Sequence, residues 1–168
     1  MKFLGVIGNR NSGKSSIIQS LSGCRTANYR DYMYGVPGQS IYVCCSSPQE
    51  KAFEFNNSQD LAAISAVMTQ VVSRASSGCR GMVMAIQPNN PRSRPSMESI
   101  FHQAVSAGFT DLYAFVVDPG YASSFAIFPS VNQRLKNTGV SAHISQISGA
   151  NFPFVNATTI NSITSFVY

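Results

Sequence analysis

A glycine-rich segment near the start of the chain has the residue types and the spacing of a phosphate-binding loop. Residues 8–15 are Gly-Asn-Arg-Asn-Ser-Gly-Lys-Ser and fit the pattern G-x-x-x-x-G-K-[ST]. The glycines let the backbone curl until several N–H groups point at the same phosphate oxygens. Lys14 is expected to place a positive charge at the β- and γ-phosphates, and the Ser15 hydroxyl to ligate Mg²⁺. The predicted phosphate-binding residues are Gly8, Asn9, Arg10, Asn11, Ser12, Gly13, Lys14, Ser15 and Ser16.

The segments on either side of residues 8–15, here called the phosphate loop, supply the structural context that the pattern needs. The apolar run Phe3–Ile7 predicts a strand before the loop, and Ser16–Leu21 predicts a short helix after it. The start of that helix would present unpaired N–H groups and a positive dipole end to a phosphate. A chance match in a turn rich in glycine and serine is the alternative. The context favours a loop that binds a nucleoside triphosphate, either GTP or ATP.

Strands and helices are predicted to alternate along the rest of the chain, after an early hairpin. Runs at 29–34 and 39–45 flank Val36-Pro37-Gly38 and predict two antiparallel strands. Later strands are predicted at 82–86, 112–117 and 140–147, and later helices at about 59–75, 95–108, 130–137 and from a cap at Asn156. This order predicts one domain, residues 1–168, with a three-layer α/β fold. Its central sheet would be mostly parallel, with one antiparallel hairpin strand.

The composition favours some classes of protein over others. At 168 residues the chain is long enough for one domain with a core. Its net charge of +5 is spread over scattered basic residues, so nucleic-acid binding is not indicated. The four cysteines form no C-x-x-C pair, which argues against zinc and predicts free, mostly buried thiols. No apolar run approaches the ~18 residues of a membrane span. With a strand close to Met1 we expect no cleaved signal peptide, no membrane partner and a cytoplasmic protein.

The phosphate loop is similar to that of P-loop NTPases, and the predicted order of elements resembles that of the small GTPases. In that family a D-x-x-G motif follows the hairpin, where this chain has Ser46-Ser47-Pro48-Gln49-Glu50. A second alignment places Gly35–Gln39 there, also without the aspartate. In place of the guanine-binding N-K-x-D motif the chain has Asp118-Pro119-Gly120-Tyr121, without the Asn-Lys pair, so the resemblance does not identify the base as guanine. The S-A-[KL] motif of the last loop corresponds to Ser148-Gly149-Ala150, so the resemblance implies base contacts at Ser148, Gly149, Ala150 and Asp118.

Four further residues are candidates for chemistry beside the phosphates. The resemblance implies that Gln49 or Glu50 orients an attacking water, as a glutamine does in GTPases. Thr26 is expected either to close on Mg²⁺ when the triphosphate binds or to be an ordinary surface residue. Asp118 follows an apolar strand, where many ATPases place an acid that binds Mg²⁺. A turn-forming Asp-Pro-Gly explains it equally well.

Three functional hypotheses follow from these residues. The first is a GTPase-like protein that hydrolyses a nucleoside triphosphate slowly with Mg²⁺ or acts as a nucleotide switch, contacting a protein partner through its switch loops. The second is a small nucleotide or metabolite kinase, with Arg92 and Arg94 on the acceptor and Asp118 as the acid that binds Mg²⁺ or as the base. The third is a non-catalytic adaptor that keeps the fold and binds nucleotide for stability.

Overall fold

A six-stranded sheet forms the core of this protein, and its first strand lies in the middle. The computed structural model describes residues 1–24, 30–33, 39–49, 60–89, 94–121 and 125–167. The strands are β1 (Lys2–Ile7), β2 (Arg30–Met33), β3 (Ser40–Cys44), β4 (Cys79–Ile86), β5 (Asp111–Val117) and β6 (Ala142–Ile147). The helices are α1 (Lys14–Ser22), α2 (Leu61–Ser73), α3 (Met97–Ala107), α4 (Phe128–Asn137) and α5 (Pro153–Thr164), with a 3₁₀ turn at Ala75–Ser77.

The strand order β2-β3-β4-β1-β5-β6 determines which loops meet at the carboxyl edge of the sheet. Strand β1 pairs in parallel with β4 on one side and β5 on the other. Strands β3 and β6 extend this parallel sheet at its two sides. Strand β2 pairs with β3 at the outer edge, and the backbone register there is antiparallel. The Val36-Pro37-Gly38 turn lies outside the described residues. Five parallel strands therefore bring the loops after β1, β3, β4, β5 and β6 to one edge.

Helices cover both faces of the sheet, which makes the fold three layers deep. One apolar cluster joins β-strand side chains to α2, α3 and α4, and it contains Phe3, Ile64, Met84, Phe101 and Leu135. The second joins the opposite face to α1 and α5, and it contains Leu4, Val6, Ile17, Phe115 and Ile160. Neighbouring residues of β1 thus belong to opposite clusters, as the two-residue period of a strand requires. The predicted α/β fold with a mostly parallel sheet is confirmed.

Helix α5 begins earlier than the sequence pattern predicts, so the expected cap at Asn156 is wrong. The helix starts at Pro153, whose missing N–H and fixed φ suit the first turn. Asn156 lies inside the helix and is buried, and its Nδ2 donates to the carbonyl of Ser148 at 2.7 Å. At the other end, the Lys2 and Arg80 side chains donate to the carbonyls of Thr164 and Ser165. Cations at a helix C-terminus also offset its dipole.

None of the four cysteines forms a disulfide, and all four are buried, as predicted. Burial, together with the neighbouring Cys45, raises the pKa of Cys44 well above its usual range. Burial and the neighbouring Cys24 raise the pKa of Cys45 to about 12. A raised pKa keeps both thiols protonated, and only the thiolate is reactive. Cys44 and Cys45 therefore act as apolar side chains. In the described part of the chain, no helix is long and apolar enough to cross a membrane.

An ion pair connects α3 to α4. The Arg134 guanidinium donates to both carboxylate oxygens of Glu98, at 2.6 and 2.9 Å. Partial burial on its own raises the pKa of Glu98, but the hydrogen bonds and charge of Arg134 outweigh that effect. The net result is a pKa below the ordinary value of 4.5. The charged form of Glu98 is therefore better stabilised in the folded chain than in the unfolded chain.

We predict that Glu98→Gln lowers the free energy of unfolding at pH 7 by about 1 kcal/mol, because a paired but partly exposed charge is lost. Folding lowers the pKa of Glu98. The extra free energy of unfolding of the wild type is therefore present above pH 4.5 and disappears as the pH falls through the folded-state pKa. Urea denaturation at a series of pH values measures the difference.

The control is Arg134→Met, alone and combined with Glu98→Gln. If the two residues act as a pair, the double variant is about as stable as either single variant. Fully additive losses would mean that the ion pair contributes nothing.

Candidate functional site

The phosphate loop has a backbone conformation that can surround an anion. Gly8 extends β1, and its N–H donates to the carbonyl of Ile86, the last residue of β4, at 3.1 Å. Asn11 and Gly13 then adopt left-handed conformations, with φ of 61° and 96°. Left-handed residues that alternate with right-handed ones can turn successive N–H groups toward a common centre, as in an anion-binding nest. Helix α1 begins directly after Gly13.

Close packing inside the loop explains why position 8 carries a glycine. A Cβ at Gly8 would lie 2.3 Å from the Ser12 Oγ and 3.3 Å from the Val117 Cβ. The Ser12 side chain is buried, and its hydroxyl has no hydrogen-bond partner among the described residues. The carbonyl of Ser12 accepts a long hydrogen bond, 3.4 Å, from the Tyr121 N–H. The loop is therefore packed against the end of β5.

Lys14 and Ser15 lie at the start of α1 and have different partners. Lys14 is 5% exposed, and its Nζ donates to the Asn9 carbonyl at 2.7 Å, so the side chain spans the loop. The Ser15 hydroxyl donates to the carbonyl of Cys45, directly after β3, at 2.6 Å. The N-cap residue of α1 is Gly13, which has no side chain to cap the helix, and the first turn contains no acidic residue. The positive end of α1 thus faces the loop without an acidic side chain beside it.

The side chains beside the loop could bind a Mg²⁺ ion that is also coordinated by phosphate oxygens. They are less suited to an ion coordinated by the protein alone. The Ser15 hydroxyl oxygen is a suitable hard ligand. Among the described residues, no group of three or more His, Cys, Asp or Glu side chains is placed to hold a metal ion. Mg²⁺ commonly keeps several waters and takes phosphate oxygens as ligands, so a single hydroxyl from the protein is enough to complete its coordination. Thr26, the other predicted metal ligand, lies outside the described residues.

A cleft of about 550 Å³ adjoins the phosphate loop. One wall consists of residues 11–17, and the other consists of residues 149–153 together with Tyr121. Residues 11–16 of the predicted phosphate-binding set therefore line the cleft, as do Gly149 and Ala150. Gly8, Asn9 and the exposed Arg10 lie outside this lining. A cleft of this size is in the range of small-molecule sites.

The loops after β5 and β6 are held together by close backbone contact. The N–H of Gly149 donates to the carbonyl of Pro119 at 2.8 Å. A Cβ at Gly149 would lie 2.6 Å from the Tyr121 nitrogen, so a side chain there would push the two loops apart. The Ser148 hydroxyl accepts a hydrogen bond from the Ala150 N–H. The Ser148 carbonyl accepts one from the side-chain amide of Asn156 in α5. Ser148 thus supports the wall of the cleft that Gly149 and Ala150 form.

Asp118 caps a helix, and its carboxylate is not part of the cleft lining. The side chain is 3% exposed, and its Oδ2 accepts from the N–H groups of Ile127 and Phe128 at 3.0 and 2.7 Å. These donors belong to the start of α4, whose own sequence supplies no side-chain cap. A carboxylate at the positive end of a helix is favourable. This contact favours a structural role over the predicted contacts with Mg²⁺ or the base.

Gln49 connects the loops that follow β3 and β4. It is 6% exposed; its Oε1 accepts from the Ser47 hydroxyl and from the Gln87 N–H, and its Nε2 donates to the Pro95 carbonyl at 3.2 Å. Both ends of the amide are therefore engaged inside the protein. The predicted role in orienting water would require these bonds to break.

Several predicted residues fall outside this description. Glu50 and Arg92 lie outside the described residues, as does most of the chain between α1 and β3 where a switch segment is expected. Arg94 is described and exposed, and it does not line the cleft. Their predicted roles, and the predicted protein partner, stay predictions.

Sequence reasoning did not single out Tyr121 and Phe152, two aromatic residues of the cleft. Their rings are 79% and 73% exposed. The one available signal was an aromatic residue next to a proline or glycine in each loop, which is common in turns. Their shared position depends on β5 and β6 being neighbours in the sheet.

We predict that Asp118→Ala lowers the free energy of unfolding by about 1–2 kcal/mol, because two N–H groups of α4 lose their acceptor. Asp111→Ala removes an exposed acid from the same strand region and should change it by less than about 0.5 kcal/mol. Chemical denaturation measures both variants. An Asp118→Ala protein of unchanged stability that has lost Mg²⁺-dependent nucleotide binding would restore the ligand hypothesis.

Comparison with known proteins adds no family assignment to this geometry. Neither the family models, nor the curated proteins, nor the solved structures searched contain a match to this chain. The functional conclusion therefore depends on the loop and the cleft themselves.

Proposed function

We propose that this protein binds a nucleoside triphosphate, GTP or ATP, with its phosphates on the phosphate loop. The observation that carries the proposal is the loop itself. It combines the G-x-x-x-x-G-K-[ST] pattern with left-handed backbone at Asn11 and Gly13, directly before the N-terminus of α1. Three sources of positive potential thus converge on one wall of the cleft: the loop amides, the helix dipole and Lys14.

Lys14 gives the cleft its charge preference. It is the one charged side chain among the described residues that line the cleft. Because it is almost fully buried, its field is screened less by water than that of an exposed lysine. Its bond to the Asn9 carbonyl holds the ammonium group at the loop, where it can also reach a phosphate oxygen. A polyanion is therefore the expected ligand.

The proposed activity is slow hydrolysis of the bound triphosphate or its use as a switch signal. Water would attack the γ-phosphate, while Lys14 and the loop amides stabilise the charge that develops on its oxygens. Mg²⁺, held through the phosphates and Ser15, would neutralise part of that charge. Gln49 is already bonded to Ser47, Gln87 and Pro95, so it could position the water only after these bonds break. Slow turnover is the expected result.

A non-catalytic adaptor is the second candidate, and two contacts favour it. Both Gln49 and Asp118 use their side chains to hold the structure together. A protein that binds nucleotide for stability needs the phosphate loop and neither of these groups. The kinase hypothesis relies on Asp118 as acid or base, and no contact of Asp118 favours it.

We predict that millimolar MgATP or MgGTP raises the melting temperature of the wild type by several degrees, since a ligand that binds the folded state stabilises it. Lys14→Met should lose most of this rise, because it keeps the length of the side chain and removes the charge. Thermal shift measured by circular dichroism, together with phosphate release over the same range of nucleotide, tests both statements.

The matched control is Lys136→Met, which removes the same charge from an exposed position on α4 that does not line the cleft. It should behave as the wild type. If no triphosphate shifts the wild-type melting temperature, the proposal fails. If the shift is present and phosphate release does not depend on Lys14, the adaptor replaces the hydrolase.

A further inference from the structure

We propose that the part of the cleft formed by Tyr121 and residues 149–153 holds the nucleobase by stacking on Phe152 and Tyr121, so that adenine and guanine nucleotides bind alike. This inference rests on the proposed function, because it concerns the other end of the same ligand. It goes beyond that function by naming the residues that hold the base and the selectivity that results.

Two exposed aromatic residues line the same cleft as the phosphate loop. Tyr121 and Phe152 are 79% and 73% exposed, although large aromatic side chains are usually covered. They come from different loops, after β5 and β6, and the cleft includes both. The backbone of Gly149 packs against that of Tyr121, and one face of the Phe152 ring stacks on Phe154, with ring centroids 6.1 Å apart. A flat, apolar ligand that covers these rings would remove that surface from water.

The connection to the phosphate loop identifies that ligand as a nucleobase. One continuous cleft joins Lys14 and Ser15 to Phe152, so a molecule with an anionic end and a flat aromatic end fits both walls. Stacking of a base on an aromatic side chain contributes about 1–3 kcal/mol to binding. It does so for any base, because every base has a π-face. A nucleoside triphosphate has this combination of groups.

The polar groups of the wall offer little that distinguishes guanine from adenine. Guanine presents two adjacent N–H donors that a carboxylate accepts as a pair. Among the described residues that line the cleft there is no carboxylate, and Asp118 instead holds the start of α4. Asn151 is the one carboxamide at this end of the described lining, and an amide can serve either base as donor or acceptor.

Binding measurements on the intact protein test this inference. Isothermal titration with MgATP, MgGTP and magnesium tripolyphosphate should give dissociation constants for the two nucleotides within about threefold of each other. A site built to pair with one base would instead separate them by a factor on the order of 10⁴. Phe152→Ala should weaken both nucleotides about tenfold, as the loss of one stacked ring requires, and leave tripolyphosphate unchanged.

Phe125→Ala is the matched control, because Phe125 is as exposed as Tyr121 and does not line the cleft. It should change none of the three constants. A wild type that prefers one purine more than about thirtyfold overturns the inference, as does Phe152→Ala with full nucleotide affinity. Equal weakening of tripolyphosphate also overturns it, because the variant then disturbs the phosphate end. If tripolyphosphate and both nucleotides all fail to bind the wild type, the proposed function itself has failed.

Discussion

The structure depends on the sharp change of direction that the chain makes between β1 and α1. In the six residues 8–13, the backbone leaves the central strand and enters a helix that packs on one face of the sheet. This path requires left-handed backbone at Asn11 and Gly13, and it leaves no space for a Cβ at Gly8. Strand β1 is paired on both sides, so the start of the loop has a fixed position. The loop therefore enters α1 from a fixed point at the carboxyl edge of the sheet.

The polar residues around this loop hold the other loops in place. Asp118 ties the end of β5 to the start of α4, and Gln49 ties the loop after β3 to those around α3. Asn156 holds the loop after β6 from within α5. Each of these groups is buried, so its hydrogen bonds must be satisfied inside the protein. These three side chains lie outside the lining of the cleft and hold in place the loops around it.

Local patterns in the sequence were sufficient to predict β1, the turn after it and α1, and also most of the other strands. The loop pattern spans eight consecutive residues, and its strand and helix are adjacent, so no distant contact had to be inferred. Apolar runs such as Leu112–Val117 likewise determine a buried parallel strand by themselves.

Contacts between distant residues limited the rest of the prediction. Asn156 has the residue type of a helix cap, but Pro153 starts the helix first and the amide turns to Ser148. Asp118 caps a helix nine residues further on, a spacing that no local motif describes. Phe152 and Tyr121 share a cleft because β5 and β6 are neighbours, which depends on the order of the sheet. Such pairings are properties of the whole fold.

The central position of β1 also sets how the phosphate loop can move. Strands with neighbours on both sides belong to the part of a protein that opens last, with amide protons that exchange only when the whole domain unfolds. The Gly8 N–H is bonded to the end of β4, so the first residue of the loop belongs to this slowest unit. Residues 149–153 of the cleft follow β6, which has one neighbour in the described sheet. We therefore expect this part of the cleft to open locally before the phosphate loop does.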